Sequence, residues 1–499
     1  MEKKKFYITT PIYYVNDQPH IGHAYTTIAA DVLARWHRRK GDDVFFLTGT
    51  DEHGAKVAES AAKAGLDPKV FADQNSEKFR TVFQRLDLSF DQFIRTTDAA
   101  HERQVAEFLT KLKERNAIYE GEYCGLYCTG CENFITEKEL VDGTCPIHKT
   151  EPKRISERNY FFRLKDYLPR VEELIRSGAI QIEPASRLQE TLGLLAQGLE
   201  DFSISRENVA WGIPFPFDTT QTVYVWVEAL QNYITAIGYH DDRSRFERYW
   251  PSVTHLMAKD ILKFHTIYWP ALLLAAGEAP PKRIFLHGFF TVNGEKMSKS
   301  LGNVIDPNLL IDQFGSDGAR YLLLSQFPFG EDGDIQEDRF IEKYNADLAN
   351  GFGNLASRVV TMIHKFSGGE VPVAAGVSRE VMERINSACA AADQALERFA
   401  FERAFQSIFS LIAYADGIID KEKPWELAKT DAEGLKQVLY DLLAILVAVT
   451  ALLQPFLPKA TATLSSVLGI SDLSGASVLP PGRSLAPLTP LFPRAEKPT

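Results

Sequence analysis

Two short motifs hold residue types that suit phosphate chemistry. In the first, His20-Ile21-Gly22-His23, two histidines flank a glycine where a helix is predicted to begin. The N-terminal end of a helix attracts anions through its free N–H groups and its dipole. Imidazoles can donate hydrogen bonds to phosphate oxygens, and Gly22 lets a ligand approach the backbone closely. Taken alone, the tetrapeptide is better explained as a helix start with two exposed histidines.

The second motif reads Lys-Met-Ser-Lys-Ser at positions 296–300 and follows a turn-prone Asn293-Gly294 pair. Lysines such as Lys296 and Lys299 can stabilise negative charge that builds up on a transferring phosphoryl group. For most lysine-rich pentapeptides, a solvated basic loop is the better explanation. Each motif by itself is therefore only moderate evidence for phosphate chemistry.

Four of the five cysteines cluster between positions 124 and 145. Cys128 and Cys131 form one pair with a two-residue gap, and Cys145 and His148 form a second. Each pair places two metal ligands on one tight turn, and two such turns complete a tetrahedron around Zn²⁺. We therefore predict one structural zinc ion per chain on these four residues, with Cys124 free. Such clustering indicates a metal site in a reducing compartment rather than secreted disulfides.

The composition is that of an ordinary soluble enzyme, with 499 residues of which 45% are hydrophobic and 24% charged. No long apolar run follows the basic N-terminus, so no signal peptide is predicted. The most apolar stretch, residues 442–453, is shorter than the ~20 residues that span a bilayer, and it predicts a buried helix. We expect a cytoplasmic protein with no membrane partner. The net charge of −11 counts mildly against a nucleic-acid partner, but a local basic face is compatible with it.

Strand and helix patterns alternate along the first part of the chain. They predict a strand at 6–9, a loop at 11–19, a helix at 20–40 and a strand at 44–48. This alternation is typical of a parallel α/β sheet. Short hairpin-like runs at about 117–215 indicate an insertion between two halves of that sheet. Strand signals return at 223–227 and 284–286, and beyond about residue 334 the chain is predicted to be helical, with an irregular end from residue 479.

Together the two phosphate motifs resemble the paired HIGH and KMSKS motifs of class I aminoacyl-tRNA synthetases, in the same order and setting. In that family a Rossmann-type sheet is split by an insertion, and the motifs bracket ATP. Further stretches resemble the methionyl-tRNA synthetase family, and the resemblance extends over nearly the whole chain. These stretches are residues 7–16, 48–54, 224–229, 259–261 with His265, and 287–289.

The resemblance implies an α/β fold in which a Rossmann-type parallel sheet is split by a zinc-knuckle insertion and followed by an α-helical anticodon-binding bundle. Five segments are predicted: 1–116 and 216–305 as the two catalytic halves, 117–215 as the insertion, 306–345 as a stem-contact linker, and 346–499 as the anticodon-binding domain. The four zinc positions resemble the single-knuckle form of the family. There some members use four cysteines, whereas His148 takes the last place here.

The resemblance also implies the substrate contacts. Asp51 would bind the methionine ammonium, and the walls around the thioether would be Ile12, Tyr14, Trp226, Ala229, Tyr233 and His265. A carboxylate suits a cation, and aromatic rings with a small residue suit a polarizable sulfur. The implied ATP-binding residues are His20, Gly22, His23, Asp260, Lys296 and Lys299, with Mg²⁺ on the phosphates. Arg206 is expected to order the same site. The chain departs from the family pattern at Ala258, where glycine is usual, and at Leu230, where some members have proline.

In the helical half the resemblance implies that Asn354, Arg358 and Trp425 contact the anticodon of initiator and elongator methionine tRNAs. Unpaired bases are commonly recognised by stacking and by hydrogen bonds to their edges. Without the resemblance, a tryptophan after Pro424 is better explained as a packing residue. The expected partners are methionine tRNA, ATP and L-methionine. A monomer is expected because the chain ends at Thr499 without the C-terminal tRNA-binding barrel of many family members.

Two alternatives to methionine activation remain open from the sequence. One is another class I synthetase, although the enzymes for isoleucine, valine and leucine carry much larger insertions than residues 117–215. The other is a tRNA-binding paralogue without catalysis. Loss of His23 or Lys299 would favour that alternative, and both residues are present.

Overall fold

The structure is a computed structural model that describes residues 3–16, 18–130, 133–135, 137, 140–146, 149–296, 304–336, 339–473 and 478–496. The chain forms two compact units. Unit 1 comprises Met1–Pro19, Asp43–Val82 and Phe90–His287, and unit 2 comprises His20–Asp42, Phe83–Ser89 and Gly288–Thr499. The five segments predicted from the sequence are functional assignments and stay predictions.

The strands are numbered in chain order. They are β1 Lys5–Tyr14, β2 Asp43–Asp51, β3 Gln92–Arg95, β4 Ile118–Cys128, β5 Asn133–Ile135, β6 Lys153–Phe162, β7 Gln181–Glu183, β8 Phe202–Ser203, β9 Ser205–Arg206, β10 Thr222–Val223, β11 Val253–Ala258, β12 Arg283–His287, β13 Phe290–Val292, β14 Glu295–Lys296 and β15 Gly333–Ile335.

The α-helices are numbered in the same way. They are α1 Ile21–Arg39, α2 Ala55–Lys63, α3 Pro68–Arg85, α4 Ala99–Glu114, α5 Leu164–Arg176, α6 Ala185–Gln197, α7 Val225–Leu230, α8 Asn232–Thr235, α9 Arg243–Tyr249, α10 Trp269–Ala276, α11 Pro307–Leu324, α12 Phe340–Lys343, α13 Asn354–Ser367, α14 Arg379–Glu397, α15 Phe401–Glu422, α16 Pro424–Thr430, α17 Ala432–Leu453 and α18 Pro458–Leu468. Two π-helical segments occupy Phe264–Tyr268 and Tyr344–Gly353.

A six-stranded parallel sheet forms the centre of unit 1, in the order β3-β2-β1-β11-β12-β7. Its middle strands β1 and β11 come from opposite sides of the insertion in sequence, yet they pair directly. The predicted Rossmann-type sheet split by an insertion is therefore confirmed. Buried apolar side chains such as Tyr7, Phe108 and Trp269 form the core of this unit. Parallel sheets require such cover, because crossover connections place helices on their faces.

The first strand is longer than the sequence indicated. Residues 11–14, predicted to belong to a loop, continue β1, and Ile12 to Tyr14 pair with Gly49 to Asp51 of β2. The register shifts between Thr9 and Ile12, so Pro11 lies at an irregularity of the strand. Proline is tolerated at such a position because no ladder hydrogen bond from its nitrogen is needed there.

The insertion is an antiparallel sheet in the order β5-β4-β6-β8. Its central pair, β4 and β6, runs in continuous register from Ile118–Phe162 to Tyr127–Lys153. The runs predicted as short hairpins are therefore parts of one long two-stranded ribbon. Alternating exposed and half-buried residues along β4 give this ribbon one face toward solvent.

The strand predicted at residues 223–227 is wrong for most of its length. Only Thr222–Val223 is strand, and helix α7 begins at Val225. Nearly every side chain of α7 is buried, including Val225, Val227 and Leu230. An apolar run buried on all sides carries no period, so its β-branched residues favoured a strand that packing overrides.

Unit 2 contains α1 and, from α11 onward, an almost entirely helical chain, as predicted. Residues 442–453 belong to α17, a 22-residue helix that is long and apolar enough to cross a membrane. Of its most apolar window, 83% is buried in the structure, and the core helix of a soluble protein passes the same test. The predicted buried helix is confirmed. Residues 478–496 are irregular apart from one bridge between Glu370 and Ser484.

Candidate active site

The residues predicted to contact the substrate start at the carboxyl ends of β1 and β2 in unit 1, and the region around them is called the pocket. Tyr14 lies opposite Asp51 in the parallel ladder, and the Asp51 side chain is only 3% exposed. Two residues earlier, Gly49 approaches β3 so closely that an added Cβ would lie 2.0 Å from the carbonyl oxygen of Ile94. Only glycine fits at that position, so the strand can carry Asp51 to this edge of the sheet.

Tyr233 and His265 form a hydrogen-bonded pair that is almost completely buried. The Tyr233 hydroxyl lies 2.8 Å from Nε2 of His265, and Nδ1 of His265 lies 3.0 Å from the carbonyl oxygen of Ile261. A carbonyl only accepts, so Nδ1 carries the proton, Nε2 accepts and the Tyr233 hydroxyl donates. Burial lowers the pKa of His265 to about 4, so its ring is neutral at neutral pH.

Aromatic rings build the wall opposite the strands. Trp226 of α7 stacks on Phe264 with ring centroids 4.0 Å apart and an angle of 8°, and it meets the Tyr14 ring edge-on at 6.2 Å. The ammonium of Lys56 lies 5.4 Å from the centroid of the Tyr14 ring. Ala229, one helical turn after Trp226, is 5% exposed.

The Asp51 carboxylate is close enough to affect the Tyr233 hydroxyl. Burial raises the pKa of Tyr233, and the negative charge of Asp51 raises it further. The Asp51 carboxylate therefore lies near the neutral Tyr233–His265 pair and the aromatic rings. That set can hold a small molecule with one cationic group and an apolar, polarizable tail.

Several residues that support the pocket were assigned no role from the sequence. His255 of β11 lies 2.7 Å from the Thr9 hydroxyl through Nδ1, and Nε2 accepts a hydrogen bond from Trp269 at 3.3 Å. Its ring lies 4.3 Å from that of Tyr233, and the Tyr7 hydroxyl donates to the Tyr233 backbone carbonyl at 2.6 Å. Tyr7, Thr9 and His255 lie inside largely apolar strands, and Trp269 begins an apolar helix, so their local sequence does not separate them from core residues.

Glu52, next to Asp51, is another residue that the sequence did not single out. It has no exposed surface and accepts two hydrogen bonds from Arg95, at 2.7 and 2.8 Å. The hydroxyls of Thr50 and Thr97 also donate to its carboxylate. Charge-assisted, two-pronged hydrogen bonds fix geometry strongly, so the chain beside Asp51 is held rigidly.

The two histidines of the first motif lie in unit 2. His20 is the N-cap of α1, where its Nδ1 accepts a hydrogen bond from the Gly22 N–H at 3.1 Å. Nδ1 of His23 accepts from the His20 N–H at 3.1 Å, and the rings stack at 3.7 Å. Burial and the neighbouring His20 hold the pKa of His23 well below its usual value. With Nδ1 accepting, a neutral ring carries its proton on Nε2.

The other ATP-related predictions are divided between the units. Lys296 ends β14 in unit 2, and residues 297–303, which include Lys299, lie outside the described residues. Asp260 is exposed in a short 3₁₀ segment of unit 1. Arg206 of β9 is 6% exposed and forms hydrogen bonds of 2.9 and 3.1 Å with Glu157 of the insertion.

Half of the predicted zinc ligands can be located. Cys128 and Cys145 are each 1% exposed and share one small buried cluster with Ile135. Cys131 and His148 lie outside the described residues, and the described part of the chain contains no group of three or more potential ligands. Cys124 is exposed and forms no disulfide.

The predicted anticodon residues lie in the helices of unit 2. Asn354 is exposed at the start of α13, and Arg358 follows one turn later. The Arg358 guanidinium lies 2.8 Å from Asp416 and 3.4 Å from Asp420. Trp425, the second residue of α16, is 44% exposed. An exposed tryptophan is unusual for a packing residue and available for stacking.

Comparison with known proteins accounts for both units. Residues 6–155 and 138–360 match the family described as tRNA synthetases class I (M), and residues 370–484 match the anticodon binding domain of methionyl tRNA ligase. The methionine–tRNA ligase of Caldanaerobacter subterraneus subsp. tengcongensis is 44% identical over 476 residues, covering 94% of this chain and 75% of the relative. That of Streptomyces coelicolor is 40% identical over 523 residues, covering 99% and 97%.

Solved structures agree with the sequence matches. The Mycobacterium tuberculosis methionyl-tRNA synthetase in complex with methionyl-adenylate has a TM-score of 0.95 and 38% identity, covering 98% of this chain and 100% of that one. Its apo form has a TM-score of 0.88 and 34% identity. A split Rossmann-type sheet followed by a helical anticodon-binding domain defines a class I aminoacyl-tRNA synthetase. Within that class, the chain belongs to the methionyl-tRNA synthetase family, and it is an aminoacyl-tRNA ligase.

Proposed function

We propose that the pocket of unit 1 binds L-methionine for the reaction of this family. In that reaction methionine and ATP form methionyl-adenylate and pyrophosphate, and the methionyl group passes to initiator and elongator methionine tRNAs. The observation that carries the proposal is the neutral Tyr233–His265 pair in the same pocket as the Asp51 carboxylate. The carboxylate suits the ammonium group of methionine, and the neutral pair suits its thioether.

Each end of methionine has a defined set of partners in this proposal. Asp51 binds the ammonium group, and the thioether lies among Ile12, Tyr14, Trp226, Ala229, Tyr233 and His265. The Tyr233 hydroxyl is committed to His265. A neutral, hydrogen-bonded wall contacts a polarizable sulfur without requiring a polar group from it, so a side chain of the right length without charge is favoured.

Activation needs no general base, because the methionine carboxylate is already a nucleophile. It attacks the α-phosphate of ATP in line with the departing pyrophosphate, so catalysis consists of positioning and electrostatic stabilisation. We assign the Nε2–H groups of His20 and His23 to phosphate oxygens. Gly22 allows close approach, Lys296 and Lys299 meet the developing charge, and Asp260 orders the nucleotide. Magnesium belongs to the substrate as MgATP.

We assign a zinc ion to Cys128, Cys131, Cys145 and His148. The fit rests on the two described members, because buried thiols brought into one cluster are suitable for a metal. Four protein ligands would leave no open position, so the ion would supply structural closure of the insertion rather than chemistry. Arg206, which is hydrogen bonded to Glu157 within the insertion, is proposed to order the ATP site.

Asn354, Arg358 and Trp425 are proposed to contact the anticodon. Trp425 supports this because its ring is 44% exposed. The pairing of Arg358 with Asp416 and Asp420 means that its guanidinium would exchange carboxylate contacts for base contacts on tRNA binding. The monomeric state and the cytoplasmic location stay predictions from the sequence, and light scattering of the purified chain measures the first.

The deciding experiment is amino-acid-dependent exchange of pyrophosphate into ATP. Methionine is expected to support exchange better than leucine or cysteine. If either of the latter is better, the substrate is wrong, and if no amino acid supports exchange while methionine tRNA binds, the chain is a non-catalytic paralogue. Asp51→Asn keeps the size of the side chain but removes its charge, and it should raise the methionine KM far more than the ATP KM.

A further inference from the structure

A buried histidine and a buried glutamate connect the two sides of the proposed methionine pocket. His53 follows Asp51 by two residues, just beyond β2, and Glu228 lies in α7 between Trp226 and Ala229. Nδ1 of His53 lies 3.0 Å from each carboxylate oxygen of Glu228. The His53 residue is 3% exposed and Glu228 is completely buried. The pair thus joins the strand end proposed to bind the ammonium to the helix proposed to hold the thioether.

The His53 side of this pair is held firmly. The Trp211 indole N–H donates to the Glu52 carbonyl at 2.7 Å, and the Gly54 N–H donates to the Trp211 carbonyl at 3.0 Å. The Trp211 ring lies 5.2 Å from the His53 ring. Residues on both sides of His53 are therefore tied to one tryptophan, and the Glu52 carboxylate is itself fixed by Arg95. His53 is a rigid anchor.

The Glu228 side depends on its partner. Helix α7 has only six residues and follows a two-residue strand, so helix propensity contributes little to its position. A buried carboxylate without a hydrogen-bond donor is costly, so α7 is favoured only where Glu228 reaches His53. The same short helix carries Trp226 and Ala229, and a shift of α7 would move both.

The charges around His53 favour a strong hydrogen bond. Burial lowers the pKa of His53, but the charge and hydrogen bond of Glu228 outweigh it, and Glu102 and Glu52 act in the same direction, so the pKa is raised. Nε2 of His53 lies 3.6 Å from Glu102, which is half-exposed on α4. His101 of the same helix opposes the charge on His53 but stays neutral, because burial lowers its own pKa to about 3.

We propose that His53 and Glu228 are positioning residues for methionine binding, which hold Trp226 and Ala229 of α7 at the correct distance from Asp51. The inference rests on the proposed methionine pocket and deepens it. Neither side chain needs to touch the substrate. Breaking the pair should weaken methionine binding specifically, because the groups proposed for ATP lie on other elements.

The test is a double-mutant cycle measured by pyrophosphate exchange, with KM determined separately for methionine and ATP. His53→Ala and Glu228→Ala should each raise the methionine KM about tenfold, as expected for loss of one charge-assisted hydrogen bond. The ATP KM should change less than about twofold, well below that loss. The double variant should be no worse than either single variant, because both remove the same interaction.

Conservative variants separate positioning from general support of the fold. His53→Asn keeps an N–H near the position of Nδ1, and Glu228→Gln keeps an acceptor oxygen. Both should recover most of the methionine affinity. His240→Asn is the matched control, because His240 forms a more exposed pair with Glu107 at 3.4 Å in the same unit. It should leave both KM values unchanged.

Three results would overturn the inference. These are an unchanged methionine KM in His53→Ala, additive losses in the double variant, or equal rises in both KM values accompanied by a lower melting temperature. If an alanine variant does not fold, the conservative variants keep the test valid. His53→Asn and Glu228→Gln should each raise the methionine KM only slightly and leave kcat and the ATP KM unchanged, and a tenfold rise in the methionine KM of either variant would contradict the inference. If the unsubstituted protein shows no methionine-dependent exchange, the proposed function fails rather than this inference.

Discussion

The guanidinium of Arg320 lies 2.7 Å from the carboxylate of Asp31, and neither side chain has any exposed surface. Within unit 2 this ion pair joins α11 to α1, the helix whose N-terminus carries His20 and His23. Arg320 also donates to the backbone carbonyls of Pro455, Phe456 and Leu86. Its positive charge and that of Arg35 help to lower the pKa of Asp31 despite the opposing effect of burial. One arginine thus satisfies four acceptors.

We predict that Arg320→Met destabilises the protein by about 3–5 kcal/mol, because it leaves a buried carboxylate without its main partner. Arg320→Lys should destabilise the protein less than Arg320→Met does, since lysine keeps the charge but not the planar fork of donors. Urea denaturation measures both. Arg379→Met is the control, because the Arg379–Glu383 pair is highly exposed and exposed pairs contribute ~0–1 kcal/mol. A loss for Arg320→Met no larger than that of the control would contradict the prediction.

Tyr233→Phe should raise the methionine KM roughly tenfold, equivalent to ~1.4 kcal/mol. The substitution removes only the hydroxyl that donates to His265, and it leaves a buried Nε2 acceptor without its donor. Exchange kinetics at varied methionine measure the effect. Tyr249→Phe removes a hydroxyl that donates to Asp43 at 3.0 Å in the same unit, and it should leave the methionine KM unchanged. Equal methionine KM values in the two variants would contradict the assignment of Tyr233 to the methionine pocket.

The protein should lose stability as the pH falls below 6.5, in part through His101. Burial, followed by the charge of His53, lowers the pKa of His101 from 6.5 to about 3, so the unfolded chain binds a proton that the folded chain does not. The contribution of this residue to the free energy of unfolding is fully present above pH 6.5. It declines by roughly 1 kcal/mol per pH unit toward pH 3. Urea midpoints at pH 7, 6 and 5 measure the slope.

His101→Asn provides the matched comparison for that slope. Asparagine keeps a polar atom near Nδ1, which lies 2.8 Å from the Thr235 hydroxyl, but it does not titrate. The variant should therefore show a shallower loss between pH 6.5 and 5. Identical slopes in the two proteins would mean that His101 keeps its proton affinity in the fold, contrary to the prediction.

Trp425→Ala should weaken charging of methionine tRNAs while sparing pyrophosphate exchange without tRNA. A stacking platform for one base contributes about 1–3 kcal/mol, and that energy belongs to tRNA binding. Val373→Ala is a control in the same unit, because Val373 is an apolar residue that is 70% exposed. If exchange, charging and melting temperature fall together in Trp425→Ala, the tryptophan is a packing residue and the anticodon assignment fails.

Metal analysis should find one zinc ion per chain. Cys128→Ser and Cys131→Ser should each abolish full occupancy and lower the melting temperature, because a structural metal contributes its binding energy to folding. Cys124→Ser should retain the ion, since Cys124 is exposed and outside the paired spacing. Zinc-free protein with an unchanged melting curve would refute the site.

The sequence by itself indicated the class of protein through its resemblance to a known family, because the motifs that carry this resemblance are local. Each of these signals lies within a short window of sequence, where chain geometry restricts the possible backbone conformations. They are the motif His20-Ile21-Gly22-His23, the alternation of strand and helix around it, and the paired cysteines. The helical second half was also predictable, since periodic apolar residues continue over many turns. The exact bounds of its helices were less predictable. The sequence predicted a buried helix at residues 442–453, whereas α17 extends over Ala432–Leu453.

Only the tertiary structure decided which groups meet. His53 and Glu228 are 175 residues apart in sequence, and Trp36 reaches Asp393 across 357 residues, so no local pattern could reveal either pair. The same holds for residues 223–227, where burial on all sides replaced the predicted strand with α7. The protonated nitrogen of His265 depends on the Ile261 carbonyl beside it. Local spacing restricts backbone shape, whereas partners, charge states and burial arise only when distant segments pack together.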